Sequence, residues 1–456
     1  MTPGEPTRFS LRGRPGVITL EDGGLHHPTG ARFGGPVYTA YSDITHIATS
    51  PRALWLGTRR SVYVIARRTF VDPNGPEHLV RALLEQIARQ PGGSGQLARM
   101  AQIEETSRTR APLRATWGLA AVCVALFAVQ WFGGDNVYSV GYFTRVLAGD
   151  GDWWRIVTGN LLHAGPTHLI LNVLGLLAIG SLVERALGSA ATVCVMAASG
   201  LGAMAASAWW SALPVVGVSG VVCGLIGALS WLELRFGEEL PAWWRVPRRA
   251  LFGVIAGTAL LSLLPFIAAA AHAGGFVGGG VAAMVLAWRT FGARLNPGWV
   301  RGLAGASAVI AALAIGAAGY ELLRPGEFNA RFVARLAHLP GISAEELNNA
   351  AWSIAIDDRS SPQLLEAALE LAVRAADETD HSKAHILDTL AEVHFQLGHR
   401  DEAVAAIEEA IQREPDEDYY REQLRRFTGE RDPEDRPYLP PQPAEPTVSE
   451  EEGVSV

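Results

Sequence analysis

Charged residues are scarce in this sequence of 456 residues. Only 18% of the chain is charged, and Lys383 is the single lysine among 38 basic residues. With a formal net charge of −8, the chain lacks the basic surface of a nucleic-acid-binding protein, so we expect no nucleic-acid partner. Hydrophobic residues make up 49% of the chain and the mean hydropathy is +0.16. These values exclude a single compact soluble domain as a description of the whole chain.

Residue patterns that bind metal ions are also missing. The three cysteines all lie in apolar runs: Cys123, Cys194 and Cys223. They offer neither a disulfide framework nor a CxxC metal site. Three N-terminal histidines have no carboxylate or cysteine at metal-ligand spacing and are expected on a solvated surface: His26, His27 and His46. We therefore predict neither a metal ion nor a cofactor.

Residues 1–92 predict a small β-rich domain. Short strand-like segments alternate with turns that contain Gly, Pro and Asp: residues 16–20, 37–41, 44–48 and 61–65. An amphipathic helix over residues 76–89 follows, with Leu79, Leu83 and Ile87 on one face. This order of strands and a helix resembles the bacterial pleckstrin-homology-like (PH-like) domains, for which we expect a protein partner. A polar linker is predicted over residues 93–114.

An apolar region between residues 115 and 321 contains seven segments long enough to cross the roughly 30 Å hydrocarbon layer of a bilayer. They begin near Ala115, His168, Ser189, Gly217, Leu251, His272 and Gly302. Six of them form the predicted core over residues 115–295, and the seventh occupies residues 299–321. The expected fold class is therefore a polytopic α-helical membrane protein embedded in a lipid bilayer.

The placement of arginine predicts the orientation of these segments. Arginines precede the first segment, follow the second, and lie between the fourth and fifth and between the sixth and seventh: Arg108, Arg110, Arg114, Arg185, Arg235, Arg245, Arg248, Arg249, Arg289, Arg294 and Arg301. All fall on one face if the segments alternate in direction, and the positive-inside rule makes that face cytoplasmic. We expect a cytoplasmic N-terminus and an extracytoplasmic C-terminus. The combination of domains favours a bacterial inner membrane.

Residues 340–428 predict a C-terminal α-helical repeat domain. Within it, residues 384–417 resemble a tetratricopeptide repeat, with matching residues at its pattern positions: Leu387, Leu390, Ala391, His394, Ala403, Ile407, Ala410 and Pro415. A degenerate earlier copy is predicted over residues 346–376. Such a module is expected to bind protein partners. The acidic, Pro-rich segment over residues 429–456 is predicted to be disordered.

Four polar side chains lie inside the apolar segments, where a charged group costs at least about 2.5 kcal/mol on insertion scales. His168 and Asn172 lie in the second segment, Ser219 near the start of the fourth and His272 at the start of the sixth. These three segments run in the same direction, so their first residues lie at a similar depth near the outer face. Polar groups that are distant in the sequence are therefore expected to meet in one layer of the membrane.

Small residues allow the fourth and sixth segments to approach closely. They recur at intervals of four residues: Gly220 and Gly224 on the fourth segment, Ala271, Gly275 and Gly279 on the sixth. Contact between these faces would bring the Ser219 hydroxyl to His272, as a nucleophile and its base. No Asp or Glu lies in these segments at that depth, so we predict a dyad whose imidazole is oriented by packing. His168, Asn172 and the backbone N–H of Ser219 are the candidate donors to an oxyanion.

The motifs in this region occur in a defined order: Trp154-Arg155, His163-x4-His168-x3-Asn172, Glu184-Arg185, Gly217-Val218-Ser219-Gly220 and Ala271-His272-x2-Gly275-x3-Gly279. Together they resemble the rhomboid intramembrane serine proteases over residues 115–295. The resemblance implies a six-helix core, catalysis by Ser219 and His272, and an oxyanion site that includes His168 and Asn172. It also implies cleavage of other membrane proteins within or beside a transmembrane helix, near the outer face. The other motif residues are expected to support the structure: Arg155, His163, Glu184, Gly217, Gly220, Gly275 and Gly279.

Two other functions stay open from the sequence. A catalytically silent rhomboid-like binder would hold transmembrane clients without cutting them. Such relatives usually lack the nucleophile or the base, whereas Ser219 and His272 are both present here. A transporter or channel would use intramembrane His, Ser and Asn to line a polar path. It should also show helices broken at mid-membrane and internal repeats, and the sequence shows neither.

Overall fold

The computed structural model describes residues 7–13, 16–28, 35–108, 112–133, 135–149, 151–210, 214–264, 267–290, 297–339 and 342–434. The chain divides into two compact units, residues 1–319 and 320–456. The greater part of the predicted disordered tail, from residue 435 onward, lies outside the described residues.

The N-terminal domain contains two antiparallel sheets in which each strand pairs with the next. The first sheet consists of β1 (Thr7–Ser10), β2 (Val17–Leu20), β3 (Gly24–Pro28) and β4 (Pro36–Ala40). The second consists of β5 (Ile44–Thr49), β6 (Ala53–Thr58) and β7 (Val62–Ala66). Alternate side chains such as Ile18 and Leu20 enter the core, because successive side chains of a strand point to opposite faces.

Helix α1 (Gly75–Arg89) follows the second sheet. It buries Leu79, Leu83 and Ile87 in the core of the domain, which is the face that the sequence predicts. The order of strands and helix therefore agrees with the predicted β-rich domain. Its assignment to the PH-like domains stays a prediction.

The predicted linker over residues 93–114 is wrong for most of its length. Residues Gly93–Arg108 form helix α2, which packs on the N-terminal domain and places Met100 in its core. The Gln96 side chain donates to the carbonyl oxygens of Tyr41 and Ile44, both at 2.7 Å. The polar composition of these residues did not indicate a packed helix, because part of what holds α2 in place is hydrogen bonding to the backbone of Tyr41 and Ile44.

Two of the three N-terminal histidines are buried, contrary to the expectation of a solvated surface. His27 Nε2 lies 2.8 Å from the Thr39 hydroxyl, and its Nδ1 donates to the Pro28 carbonyl at 2.9 Å. His46 Nδ1 accepts the N–H of Ala242 at 3.0 Å. Burial lowers the pKa of both imidazoles, which keeps them neutral near pH 7. Both are packing residues with hydrogen-bond partners.

The helices that follow are α3 (Arg114–Gly133), α4 (Asp135–Gly141), α5 (Arg145–Gly149), α6 (Arg155–Thr158), α7 (Pro166–Gly175), α8 (Ser181–Leu187), α9 (Ser189–Trp210), α10 (Ser219–Phe236), α11 (Arg248–Leu261), α12 (Ala269–Thr290) and α13 (Gly298–Leu322). A π-helical turn over Leu176–Gly180 joins α7 to α8. Pro166 is the first residue of α7, where its missing N–H costs nothing. Gly188 follows α8 with φ +81°, so a glycine ends that helix.

Six helices of the described residues are long and apolar enough to cross a membrane: Arg114–Gly133, Pro166–Leu187, Ser189–Trp210, Ser219–Phe236, Ala269–Ala287 and Gly298–Leu322. The predicted segment from Leu251 differs. It forms α11, whose 14 residues extend about 21 Å at 1.5 Å per residue. The helix stops at Ser262, where both the N–H and the hydroxyl donate to the Thr258 carbonyl.

The N-terminal domain contacts the loop between α10 and α11. Arg245 in this loop forms a buried ion pair with Glu233 of α10 at 2.6 Å, and donates to the Thr58 carbonyl of β6 at 2.8 Å. Breaking one partner of a buried pair typically costs about 3–5 kcal/mol. These bonds attach the domain to the end of α10 that is opposite to Ser219.

The second unit consists of α14 (Pro325–Leu336), α15 (Ala344–Ala355), α16 (Pro362–Glu378), α17 (Ala384–Gln396), α18 (Arg400–Arg413) and α19 (Asp418–Thr428). Helices α17 and α18 cover the predicted repeat, and their apolar faces share one core.

Buried polar side chains join α17 to α19. Asp388 accepts hydrogen bonds from Tyr419 and Gln423, both at 3.0 Å, and Glu392 pairs with Arg426. Burial raises the pKa of Asp388 to about 7. The tetratricopeptide assignment itself stays a prediction.

Helix α10 is central to the apolar region. Of its spanning stretch 61% is buried, compared with 6% for α13. Its glycine face meets that of α12, with Gly220 against Gly275 and Gly224 against Gly279. A Cβ atom on Gly279 would collide with the Gly224 carbonyl oxygen, so this backbone contact requires glycine. The contact sets the distance between the two helices.

We expect Gly279→Ala to lower the free energy of unfolding by about 1–3 kcal/mol, because the added methyl group forces α12 away from α10. Thermal unfolding of the purified protein in detergent, followed by tryptophan fluorescence, measures this loss. Gly305→Ala on α13 is the matched control, since a Cβ atom there meets nothing within 4 Å. Equal melting temperatures for the two variants would show that the contact does not constrain the helices.

Candidate active site

Ser219 is the first residue of α10, and the chain before it is held from two sides. Val215 and Phe143 exchange backbone hydrogen bonds at 2.8 and 3.0 Å, and Gly217 N–H donates to the Gly159 carbonyl at 2.8 Å. Gly217 has φ +116°, a left-handed conformation that favours glycine. The loop therefore fixes where α10 begins. At this end, the first backbone N–H groups of a helix have no acceptor within it.

His272 lies in the first turn of α12, beside Ser219. Its Nε2 atom is 3.0 Å from the Ser219 hydroxyl oxygen. This distance is within the range that proton transfer between a nucleophile and its base requires. The two residues are 53 positions apart in the chain and are brought together by the contact of Gly220 with Gly275.

The other nitrogen of this imidazole also has a partner. His272 Nδ1 lies 2.7 Å from the hydroxyl oxygen of Ser262, at the end of α11. The sequence predicts an imidazole oriented by packing and does not single out Ser262. A usable signal was present: Ser262 ends the fifth segment ten residues before His272, so a short antiparallel connection places the two side by side.

His168 and Asn172, four residues apart on α7, face the backbone of Gly217. A Cβ atom on Gly217 would lie 2.9 Å from His168 Nε2 and 3.5 Å from Asn172 Nδ2. The Asn172 amide nitrogen is buried and has no hydrogen-bond partner among the described residues. A buried donor without an acceptor is costly, and such donors are found where a ligand or reacting group supplies the acceptor.

His163 lies outside the Ser219–His272 contact. Its ring is buried, with Nδ1 3.1 Å from the Leu161 carbonyl, and it packs edge-on against His168 at 5.3 Å between ring centroids. Its backbone is held by Gln130, whose side chain donates to the His163 carbonyl at 2.6 Å. This residue thus positions the ring of His168.

Arg155 and Trp154 order the loop after α3. The Arg155 side chain is fully buried, pairs with Asp152 at 2.9 Å and donates to the carbonyl of Ser139 at 2.7 Å. The Trp154 indole donates to the Val140 carbonyl at 3.0 Å. Neither residue is among the hydrogen-bond partners of Ser219 or His272.

Glu184 joins three helices at the opposite end of the bundle from Ser219. Its buried carboxylate accepts the N–H groups of Ala115 and Thr116 at 2.9 and 2.8 Å, and the hydroxyls of Thr116 and Ser189, both at 2.6 Å. A carboxylate at the N-terminus of α3 satisfies N–H groups that the helix leaves unpaired. Glu184 is thus positioned to stabilise the fold.

The arrangement therefore combines a hydroxyl, an imidazole within proton-transfer distance and amide donors beside them. No cluster of His, Cys, Asp or Glu able to hold a metal ion occurs among the described residues. These groups suit acyl transfer by a serine nucleophile, a chemistry that uses neither a metal nor a cofactor.

The family model described as the rhomboid domain matches residues 150–289. This part of the chain is therefore similar to the rhomboid domain. The match includes all four residues of the site: His168, Asn172, Ser219 and His272. With six apolar spans among its described residues, the chain is a multi-pass membrane protein.

Curated relatives carry the same family name. The rhomboid protease GluP of Bacillus subtilis is 27% identical over 294 residues, which cover 62% of this chain and 50% of GluP. The putative rhomboid protease YdcA of the same organism is 35% identical over 126 residues, 26% of this chain and 63% of YdcA. The rhomboid protease GlpG of Pectobacterium atrosepticum is 27% identical over 231 residues, 50% of this chain and 79% of GlpG. The chain thus spans between half and two thirds of the length of GluP and YdcA.

Proposed function

We propose that this protein is an intramembrane serine endopeptidase, with Ser219 as nucleophile and His272 as general base. The observation that carries the proposal is the 3.0 Å contact between His272 Nε2 and the Ser219 hydroxyl inside a bundle of apolar helices. The similarity to proteins named rhomboid proteases supports it. A serine in an apolar helix otherwise bonds back to its own helix, as Ser230 does with the Ile226 carbonyl at 2.7 Å.

The reaction would proceed by two displacements. The Ser219 oxygen attacks the carbonyl carbon of the scissile peptide bond while its proton passes to His272 Nε2. The C–N bond then breaks, and His272 returns the proton to the leaving amine, which leaves an ester on Ser219. A water molecule, deprotonated by His272, attacks this ester, releases the new carboxyl end and restores the serine.

The oxyanion formed in each step needs donors that are already in place. We assign this role to His168, Asn172 and the backbone N–H of Ser219. His168 Nδ1 accepts the Ala164 N–H at 3.4 Å, which leaves the proton on Nε2, beside Gly217. The unpartnered Asn172 amide nitrogen is the second side-chain donor.

The substrates would be transmembrane segments of other membrane proteins, cut near the outer face. The peptide bond must become extended to reach Ser219, so helices that unwind easily and small residues at the cut are favoured. The N-terminal domain and the C-terminal helices would bind protein partners.

We further propose a bacterial inner-membrane location, with the N-terminus in the cytoplasm and the C-terminus outside. The first support is the arginine clustering in alternate loops. The second is that α10 and α12 both begin at the Ser219–His272 contact, while α11 runs from Arg248, beside Glu233, back to Ser262, so this short helix returns the chain between them and the number of crossings is odd.

Replacing either member of the pair should abolish cleavage. We expect Ser219→Ala and His272→Ala to lower kcat by at least about 10⁴-fold, because nucleophile and base act as a unit. The assay uses proteoliposomes with a fusion protein that carries one transmembrane helix, with fluorophosphonate labelling of Ser219 in parallel. Ser230→Ala, on the same helix, is the control and should cleave normally. If the well-folded wild-type protein leaves the substrate intact and is not labelled, the proposed protease activity is refuted and a silent binder of transmembrane clients is favoured.

Removing an oxyanion donor should slow the chemical step. We expect Asn172→Ala to lower kcat by about 10²–10³-fold with little change in KM, since the donor acts on the transition state. Leu171→Ala, whose side chain is exposed on the outside of the same helix, serves as the control. A rise in KM at unchanged kcat would instead assign Asn172 to substrate binding.

The orientation can be read from single cysteines introduced at exposed sites. In a background lacking the three native cysteines, we expect Asp401→Cys to react with a membrane-impermeant maleimide in intact cells. Arg52→Cys should react only after the cells are permeabilised, because a cytoplasmic thiol is shielded by the membrane. Labelling in the reverse order would overturn the proposed orientation.

A further inference from the structure

We infer that Ser262 is a positioning residue that fixes the tautomer of His272; this inference rests on the proposed function. To take the proton of Ser219, His272 needs a free lone pair on Nε2. Its neutral ring must therefore carry the proton on Nδ1. The other tautomer carries its proton on Nε2 and cannot accept the serine proton. The group that hydrogen-bonds to Nδ1 of His272 thus decides whether His272 can act as the base for Ser219.

Among the described residues, the hydrogen-bond partners of the His272 ring are two hydroxyls. Ser219 lies 3.0 Å from Nε2, and Ser262 lies 2.7 Å from Nδ1. No carboxylate is among these partners, so the role that an acidic residue plays in a triad falls to a neutral hydroxyl.

The direction of the Ser262 bond follows from counting protons. A serine hydroxyl has a single hydrogen, and Ser262 Oγ lies 2.8 Å from the Thr258 carbonyl oxygen, which can only accept. With its hydrogen given to Thr258, Ser262 can only accept from Nδ1–H of His272. The chain of bonds then runs from Ser219 through His272 and Ser262 to the Thr258 carbonyl.

The same arrangement favours the charged base. When Ser219 gives up its proton, the imidazolium must donate through both nitrogens. Ser262 already presents its oxygen to Nδ1, so no group has to reorient at that moment. The last turn of α11 supplies the carbonyl that orders the hydroxyl, and the C-terminus of a helix carries partial negative charge.

Threonine and valine at position 262 separate this role from packing. The two side chains have nearly the same shape, and only threonine has a hydroxyl. We expect Ser262→Thr to keep kcat within about threefold of wild type. Ser262→Val should lower kcat and the rate of fluorophosphonate labelling together by about 10- to 100-fold, the range for one hydrogen bond to a charged group, with KM unchanged.

Ser307 on α13 provides the matched control. Its hydroxyl also donates to the carbonyl four residues earlier, Leu303, at 2.9 Å, and no histidine is among its hydrogen-bond partners in the described part of the chain. Ser307→Val should therefore leave kcat unchanged. Equal kcat values for the Thr and Val variants at position 262, whether high or low, would overturn the inference, since packing would then account for Ser262.

A second measurement does not depend on activity. Nitrogen-15 NMR of histidine-labelled protein distinguishes a protonated Nδ1 from a bare one, and the His272→Ala spectrum assigns the signal. We expect a protonated Nδ1 in wild type and in Ser262→Thr, and a mixture of tautomers in Ser262→Val. An unchanged tautomer in Ser262→Val would refute the positioning role. Absence of cleavage and labelling in wild type would count against the protease alone.

Discussion

The close backbone contact between α10 and α12 is the constraint on which the candidate site depends. In lipid, apolar side chains gain little by moving from the bilayer into the protein, so helices associate through tight packing of small residues. Gly220 and Gly224 lie against Gly275 and Gly279 with no side chain between the two backbones. Ser219 and His272 are at the start of these glycine faces. Their 3.0 Å separation therefore follows from the helix contact.

Three polar side chains at this end of the bundle satisfy one another. Ser219, His272 and Ser262 form a continuous series of hydrogen bonds that ends on the Thr258 carbonyl. Inside an apolar bundle, an unpaired polar group costs far more than in water, so such a series orders the side chains strongly. The Asn172 amide nitrogen departs from this pattern. Its missing partner fits a site in which the acceptor arrives with the substrate.

Helix α10 is held at both of its ends. At the first, the loop before Ser219 is tied to the chain near Phe143 and Gly159. At the other, the Glu233–Arg245 ion pair also bonds the Thr58 carbonyl of the N-terminal domain. The most buried of the described spanning helices is thus positioned by directional polar contacts at its two ends, while glycine contacts set its distance from α12.

Sequence patterns alone indicated the membrane-protein class, most of the spanning helices and four of the seven described N-terminal strands, and they suggested the pairing of Ser219 with His272 as a hypothesis. Hydropathy and residue spacing report these features because they are properties of single segments and of their direction in the bilayer. Three features became apparent only in the folded chain: α2 packs on the N-terminal domain, His27 and His46 are buried, and Ser262 lies within hydrogen-bond distance of His272 Nδ1. Each of these depends on hydrogen bonds between segments far apart in the chain or across a turn. Such bonds require particular distances, and the periodicity of one segment carries no information about the atoms of another.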